Sequence, residues 1–557
     1  MGAMPPRAIA SPSPTLHYHP MLLPALPIGF ALVAVTAASA LAARRLHIPY
    51  SIVLVLVGLA LGFAPFMPPV ALRPDLVLSL LLPPLLYSSG VGMSWRGFKA
   101  ELRPILQLAV GCVVFTAVVV ACVTHWLLGL PLAVGFVLGA IVSPPDAVAP
   151  MAIARRHAIP SRILTVLEGE GLVNDATALI LFSFALAAVA GGTAFSLPVA
   201  LGEFFVIVAG EIVWGIIMGW CTLHLRKWSA DTRVEMVIAL LTPFAAFWVP
   251  EALGGSGVLA TVVCGLYVSW NGPVFISPAT RLQGFFVWDM VVYVIEGVIF
   301  LLTGLQARMI VDRLDPAEWA DVGIAAASVC VAIILVRFVW VFTVTYLPRF
   351  CLKGLRKRDP YPPWRQVFVV AFTGIRGVVS LAAALSIPFM AGGKDFPNRD
   401  LLLLVTFAVI LVTLVGQGLS FSWLIQKLGL VADGKREMDE AKRREVAARV
   451  KSIDAALARL DTLEGAAAAP DTVAILRRRH GDRRAYFVAA CNDISEGNVA
   501  LSSTALQLRF VEAERASISD MYCRGDLDDE SRRRIERELD LEDSRLRHVA
   551  ESGAARA

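Results

Sequence analysis

Residues 141–150 read Ile-Val-Ser-Pro-Pro-Asp-Ala-Val-Ala-Pro, and they lie inside an apolar segment that runs from 131 to 153. An apolar segment of about 20 residues is long enough to cross a membrane as a helix. The adjacent Pro144 and Pro145 lack backbone N–H groups and break such a helix. A broken helix is tolerated at membrane depth only where it lines a cavity or packs against protein. The stretch therefore predicts a discontinuous transmembrane helix with Asp146 at its break.

A second interruption lies in the apolar segment 366–390, where residues 373–380 read Thr-Gly-Ile-Arg-Gly-Val-Val-Ser. The charged Arg376 between two glycines predicts another broken helix. Interrupted helices in corresponding halves of a chain indicate an inverted-repeat transporter with its site near the middle of the bilayer. The two breaks are seven predicted spans apart, which fits two six-helix repeats joined by one additional helix.

The composition of the 557 residues agrees with a membrane protein. Hydrophobic residues make up 57% and charged residues only 17%, whereas an average soluble domain has about 25% charged residues. The charge is uneven, because residues 431–557 contain 23 Lys and Arg and 25 Asp and Glu. The chain thus divides into a lipid-soluble body and a water-soluble tail. This division excludes three classes of protein: a soluble enzyme with one anchor helix, a secreted disulfide scaffold and a nucleic-acid binder.

The predicted fold is an all-α polytopic membrane protein with two discontinuous crossing helices and a helical cytosolic C-terminal domain. Thirteen segments are candidates for membrane spans: 21–43, 48–66, 75–92, 104–129, 131–153, 163–189, 197–223, 234–252, 256–271, 284–309, 320–346, 366–390 and 400–426. If the amino terminus is outside, the inner loops hold 18 Lys and Arg and the outer segments hold 6. Cytoplasmic loops are enriched in these residues, so we expect a cytoplasmic tail and a location in the cell (inner) membrane.

Three regions follow from this pattern: an extracytoplasmic segment at 1–20, a transmembrane domain at 21–430 and a cytoplasmic tail at 431–557. The tail begins with acids followed by bases three and four residues later, which is typical of a solvated helix. Two readings of the tail stay open. It is either a helical appendage without chemistry or a regulatory domain that binds a ligand or contacts a second copy of the chain.

Ionisable side chains are costly inside a membrane and therefore mark functional or structural sites. Away from the ends of the predicted spans, ten acidic and basic residues are candidates: Asp146, Glu168, Glu170, Asp175, Glu203, Glu211, Asp289, Glu296, Arg337 and Arg376. The densest cluster is on the sixth span. There Glu170 and Asn174 are four residues apart and share a helix face, as do Glu168 and Asp175 seven residues apart.

Three stretches together identify a family resemblance: SPPDAVAP at 143–150, EGEGLVNDATALI at 168–180 and GIRGVVSLAAALSIP at 374–388. They resemble the signature stretches of Na⁺/H⁺ antiporters in the monovalent cation/proton antiporter superfamily, electroneutral branch. The resemblance covers most of residues 21–426 in order and spacing, and the tail lies outside it.

The resemblance implies roles for several residues. Asp175 would be the carboxylate that binds the ion or the proton, and Asp146 would join it as a ligand of the transported monovalent cation. Ser143 matches the crossing region of the first broken helix. Asn174 occupies a position where electrogenic relatives have a second aspartate, which implies exchange of one cation for one proton.

The same resemblance implies a structural salt bridge between Glu170 and Arg376, and homodimers with a moving ion-binding core. Glu296 resembles a frequent acid of the tenth span and is a candidate accessory residue. Two departures from the family pattern affect the ion site. Gly171 stands where a serine is frequent, and Ser88 follows the third-span proline pair where many members have an acid. Ser88 and Thr177 are candidate substitutes for the missing oxygen ligands.

The predicted function is secondary active antiport of a monovalent cation, Na⁺ or alternatively Li⁺ or K⁺, against H⁺. No enzymatic activity and no cofactor are expected, and the expected partners are membrane lipid and a second copy of the chain. The alternatives are a K⁺/H⁺ exchanger, a cation efflux channel gated by the tail, and a membrane sensor that retains the fold. No filter-like loop supports a channel, and a sensor has no need for Asp146, Asp175 and Arg376.

Overall fold

The computed structural model describes residues 22–46, 48–65, 73–191, 197–229, 231–312, 319–391, 393–463, 470–493, 500–524 and 529–554. The chain divides into two compact units, Met1–Lys435 and Arg436–Ala557. The segment predicted to be extracytoplasmic, 1–20, lies outside the described residues.

The first unit is helical. Its first eight helices are α1 (Leu22–Leu46), α2 (Tyr50–Gly62), α3 (Pro74–Gly92), α4 (Trp95–Ala100), α5 (Leu102–Leu128), α6 (Leu132–Val142), α7 (Val148–Ala154) and α8 (Ser161–Val189). The next nine are α9 (Leu197–Ser229), α10 (Thr232–Ala252), α11 (Val258–Phe275), α12 (Pro278–Val311), α13 (Trp319–Cys351), α14 (Lys353–Arg358), α15 (Trp364–Phe372), α16 (Val378–Leu385) and α17 (Arg399–Lys427). Between α16 and α17, β1 (Met390–Ala391) pairs antiparallel with β2 (Lys394–Asp395).

The predicted class, a polytopic α-helical membrane protein, is confirmed. Within the described residues, nine helices are long and apolar enough to cross a membrane, and the apolar helices α2 and α6 are shorter. Each of the thirteen predicted segments contains helix. The number of segments that cross the bilayer and the pairing of inverted repeats stay predictions.

Both discontinuous helices are present. The first consists of α6 and α7, separated by Ser143–Ala147, and the second consists of α15 and α16, separated by Thr373–Gly377. The two breaks touch, because the backbone N–H of Asp146 donates a 2.7 Å hydrogen bond to the carbonyl of Ile375. This contact satisfies two backbone groups that a continuous helix would have paired internally.

The short α2 is held by close backbone packing against α12. A Cβ atom at Gly58 would overlap the carbonyl oxygen of Leu301, and one at Gly304 would overlap that of Val55. Small residues of this kind allow membrane helices to approach closely, because lipid offers no hydrophobic driving force for their association. The two glycines therefore fix α2 on the helix that carries Glu296.

The second unit contains most of α18 (Leu430–Leu463), with α19 (Pro470–Asp493), α20 (Ala500–Cys523) and α21 (Asp529–Ala554). Helices α20 and α21 share a small apolar cluster of Val511, Leu539 and Leu546. Exposed ion pairs connect neighbouring helices, among them Arg484–Asp454 at 2.5 Å and Arg515–Asp540 at 2.8 Å. Exposed pairs of this kind contribute little to stability, so the packing of this unit depends on buried apolar residues, which also include Ile453 and Val473.

Candidate ion-binding site

Asp146 lies at the crossing of the two discontinuous helices. Its carboxylate accepts a 2.8 Å hydrogen bond from the backbone N–H of Val148, the first residue of α7. This bond satisfies one of the N–H groups that a helix start leaves unpaired. A Cβ atom at Gly377 would overlap the Asp146 carboxylate. The glycine after Arg376 therefore lets the second break approach the acid directly.

Asp146 and Asp175 line the same large cavity of about 640 Å³, which we call the ion cavity. Helix α12 adds Glu296 to its wall, and the carboxylate of Glu296 accepts a hydrogen bond from the hydroxyl of Tyr50. Ser88 of α3 also lines the cavity, and its hydroxyl donates a 2.9 Å hydrogen bond to a backbone carbonyl of the same helix. Carboxylates from the first break, from α8 and from α12 thus line the same cavity.

Acidic side chains outnumber basic ones in the wall of this ion cavity. The acids are Asp146, Glu168, Asp175, Asp289 and Glu296, and the bases are Arg155, Arg226 and Arg281. Arg155 and Glu168 form an ion pair at 2.7 Å. A cleft with an excess of one charge concentrates counter-ions, and here the field favours cations.

Asn174 connects α8 to the first break. Its side-chain nitrogen donates a 2.6 Å hydrogen bond to the carbonyl of Pro145, and the residue is completely buried. Its side-chain oxygen has no hydrogen-bond partner in the described part of the chain. Asn174 therefore anchors the helix that carries Asp175 to the break, and its role as a cation ligand stays a prediction.

Two hydroxyls expected near the ion are used within their own helices. Ser143 donates to the carbonyl of Ala140 at 3.1 Å, and Thr177 donates to that of Val173 at 3.4 Å. Both residues are buried, and neither is among the described residues that line the ion cavity. Their roles as ligands of the transported cation stay predictions.

The salt bridge predicted between Glu170 and Arg376 is not the one in the structure. Glu170 of α8 pairs with Arg337 of α13 through two hydrogen bonds of 2.6 and 2.8 Å, and both side chains are at most 3% exposed. Arg337 also donates to the carbonyl of Val370 at 3.0 Å, near the end of α15. A bidentate guanidinium–carboxylate pair is a strong and directional contact, and here it connects three helices.

Arg376 instead donates hydrogen bonds to backbone carbonyls at the ends of the broken helices. Its side chain donates to the carbonyl of Val142 at 2.8 Å, to that of Gly374, and to that of Ser143 at 3.5 Å. A helix end leaves carbonyls without partners and carries partial negative charge. These acceptors lie beside Arg376 in the two breaks, so they occupy its guanidinium in place of Glu170.

Comparisons with known proteins agree with this architecture. The family profile described as "Sodium/hydrogen exchanger, transmembrane" matches residues 30–427. The chain belongs to the sodium/hydrogen exchanger family. An uncharacterized Na⁺/H⁺ exchanger of Mycobacterium tuberculosis is 32% identical over 531 residues, which cover 94% of this chain and 96% of the relative. The family consists of transporters that exchange cations for protons.

Two further similarities cover the transmembrane unit. The Na⁺/H⁺ antiporter ApNhaP of Aphanothece halophytica is 30% identical over 421 residues, 75% of this chain and 76% of that protein. The sodium proton antiporter MjNhaP1 of Methanocaldococcus jannaschii has a similar structure, with a TM-score of 0.59 over 73% of this chain and 99% of that one. At 18% identity the latter shows a shared fold.

The first departure from the exchanger pattern, Gly171, has a packing reason. A Cβ atom at this position would lie 2.5 Å from the Cβ of Ala147, which belongs to the first break. Contacts of that length do not occur between real side chains, so a serine here would require Ala147 to move. In this exchanger, the glycine brings α8 into direct contact with the break, and no hydroxyl is available at this position.

Three partners in this exchanger could not be assigned from sequence. Arg337 is a lone charge in an apolar run, and only the fold brings it to Glu170. Tyr50 is 246 residues from Glu296. Glu211 accepts backbone hydrogen bonds at the start of α11, including one of 2.6 Å from Ser256. A buried carboxylate at a helix start is stabilised by the free N–H groups there, so Glu211 is structural.

We expect double-mutant cycles to distinguish the two arginines. Glu170→Gln and Arg337→Met each leave a buried charge without its partner and lower the free energy of unfolding by about 3–5 kcal/mol. The double variant recovers a large part of that loss, whereas Glu170→Gln with Arg376→Met is close to additive. Denaturant unfolding of purified protein in detergent measures these free energies.

The exposed pair formed by Arg155 and Glu168 is the matched control, and its cycle should give a coupling of about 1 kcal/mol or less. A stronger coupling of Glu170 to Arg376 than to Arg337 would contradict the assignment.

Proposed function

We propose that the chain is a secondary antiporter that exchanges Na⁺ for H⁺ through Asp175 and Asp146. The observation that carries this proposal is the convergence of both carboxylates on one cavity at the crossing of two broken helices. Membership of the sodium/hydrogen exchanger family supports the reaction class. The position of the acids supports the mechanism.

Coupling follows from the chemistry of a carboxylate in a membrane. Carboxylates and carbonyl oxygens suit hard cations, and the same oxygen atoms accept protons. An uncompensated anion is costly in a low-dielectric environment. The core therefore moves only when Asp175 holds a proton or a cation, and each crossing in one direction carries one of the two.

A stoichiometry of one cation per proton is supported by Asn174. Its amide does not ionise, and its nitrogen is already bonded to Pro145. Asp146 accepts a backbone hydrogen bond at the start of α7, which favours a fixed ligand. Of Asp146 and Asp175, only Asp175 then alternates between binding a proton and binding a cation. The exchange is therefore electroneutral.

Alternating access is supported by the position of the ion cavity. Its wall contains Arg155, Arg226 and Arg281, which belong to the loops predicted to be cytoplasmic. We infer that this conformation is open to the cytoplasm, with the amino terminus outside and the tail inside the cell. Movement of the ion-binding core against a static dimerisation domain of a homodimer would open the opposite side.

Everted membrane vesicles with a preformed pH gradient test the reaction. Adding Na⁺ should dissipate the gradient, as measured by dequenching of a pH-sensitive dye, and Asp175→Asn should abolish the response because an amide cannot bind a proton. Glu203→Gln, which changes an exposed acid on α9, is the matched control and should respond normally.

Li⁺ and K⁺ in parallel assays define the selectivity, and a response to K⁺ alone would make the protein a K⁺/H⁺ exchanger. A rate that follows an imposed membrane potential would contradict electroneutral exchange. No response to any of the three cations would refute antiport.

Deletion of residues 436–557 tests the tail. We propose that this unit regulates exchange and contributes nothing to the ion site, because the described residues that line the ion cavity all lie in the first unit. The truncated protein should retain Na⁺-dependent dequenching with a changed dependence on pH or on Na⁺ concentration. Loss of exchange in a protein that is still folded and inserted would contradict this proposal.

A further inference from the structure

A second cavity lies in the transmembrane unit and shares no lining residue with the ion cavity. It has a volume of about 80 Å³ and is bordered by the beginnings of α5 and α8, the end of α13, and α15 with the segment that precedes it. Three arginines line it: Arg103, Arg162 and Arg349. We call it the arginine pocket.

The charges of the arginine pocket are not balanced. Asp359 is the one acid of its described wall, and it pairs with both Arg162 at 3.2 Å and Arg349. Arg162 also bonds to Glu101 at 3.0 Å. One guanidinium nitrogen of Arg103 is buried and has no hydrogen-bond partner in the described part of the chain. A buried donor without an acceptor is costly, so the pocket favours an anion with several oxygen atoms.

Most of the remaining wall of the arginine pocket is apolar. It is formed by Leu108, Ile163, Val166, Val341, Val344, Val367 and Val370, together with two prolines, Thr345, Gln107 and Gln366. Large apolar residues within two positions of the lining residues are exposed: Leu102, Leu106, Leu347, Phe350 and Trp364. Exposed apolar side chains on a membrane helix face hydrocarbon, and tryptophan favours the interface with water. The pocket thus combines a cationic rim with walls suited to an acyl chain.

We propose that the arginine pocket binds an anionic phospholipid, with its phosphate on the three arginines and part of an acyl chain against the valines. Free phosphate shares the headgroup chemistry, but it would leave the apolar wall without a partner. The three arginines belong to predicted cytoplasmic loops, and the cytoplasmic leaflet is the one rich in anionic lipids. Basic pockets between helices on that side of a membrane suit phospholipid headgroups.

Bound lipid would act on the second broken helix. Val367 and Val370 of the pocket wall belong to α15, the first half of that helix. The carbonyl of Val370 accepts the hydrogen bond from Arg337, which holds Glu170. A lipid in the pocket therefore packs α15 against α5, α8 and α13 and stabilises the folded protein. This inference does not depend on which ions the protein exchanges.

Native mass spectrometry and thermal unfolding of the full-length protein test the proposal. The protein, purified in detergent, is titrated with phosphatidylglycerol, with phosphatidylcholine and with inorganic phosphate. Phosphatidylglycerol should bind and raise the unfolding temperature at lower concentration than phosphatidylcholine. Inorganic phosphate should give no comparable shift.

Two variants and one control locate the binding. Arg103→Gln should weaken phosphatidylglycerol binding about five-fold, the contribution of one basic residue at an anionic membrane surface. Val344→Phe should weaken it while keeping all three arginines, because the larger ring fills the apolar part of the pocket. Arg156→Gln removes an exposed arginine from the same predicted loop as Arg162 and should bind like the unmodified protein.

Three results would overturn the proposal. Equal binding of the two lipids would exclude recognition of the anionic headgroup. An equal loss in Arg103→Gln and Arg156→Gln would indicate a general charge effect. A shift with inorganic phosphate as large as that with phosphatidylglycerol would make the pocket a site for free anions.

Discussion

The hydrogen bonds from Arg376 to the carbonyls of Val142, Ser143 and Gly374 are the contacts on which the rest of the ion site depends. Two helices end inside the transmembrane unit, and no water is available in hydrocarbon to satisfy their carbonyls. A guanidinium supplies five donors from one side chain and a positive charge against two helix ends. Because these carbonyls are hydrogen-bonded, the two breaks are stable and hold Asp146 at their crossing.

The positions of the other site residues follow from that crossing. Glycines at 171 and 377 let α8 and the second break approach the first break without side chains between them. Asn174, the residue before Asp175, fixes α8 to the carbonyl of Pro145. The pair of Glu170 with Arg337 then joins α8 to α13 and α15. The ion cavity is therefore bordered by helices and breaks that are hydrogen-bonded to one another, and Asp175 lines the cavity.

Sequence patterns predicted the fold better than they predicted contacts. Hydropathy and the prolines at 144 and 145 were sufficient for the polytopic helical class and the first break, because both depend on local properties of the chain. Partner choice depends on three-dimensional distance. Arg376 lies next to helix ends within its own break, whereas Arg337 reaches Glu170 from a helix 167 residues away in sequence. The same limit applies to Ser143 and Thr177, whose hydroxyls have acceptors within their own helices.

Proton release on cation binding tests the central claim, that one carboxylate holds either Na⁺ or H⁺, most directly. Na⁺ is added to purified protein in weakly buffered detergent solution, and the released protons are counted by calorimetry in two buffers of different ionisation enthalpy. The account predicts about one proton released per bound Na⁺ at a pH where Asp175 is protonated, and none from Asp175→Asn. Undiminished proton release from Asp175→Asn, or Na⁺ binding to the unmodified protein without proton release, would contradict it.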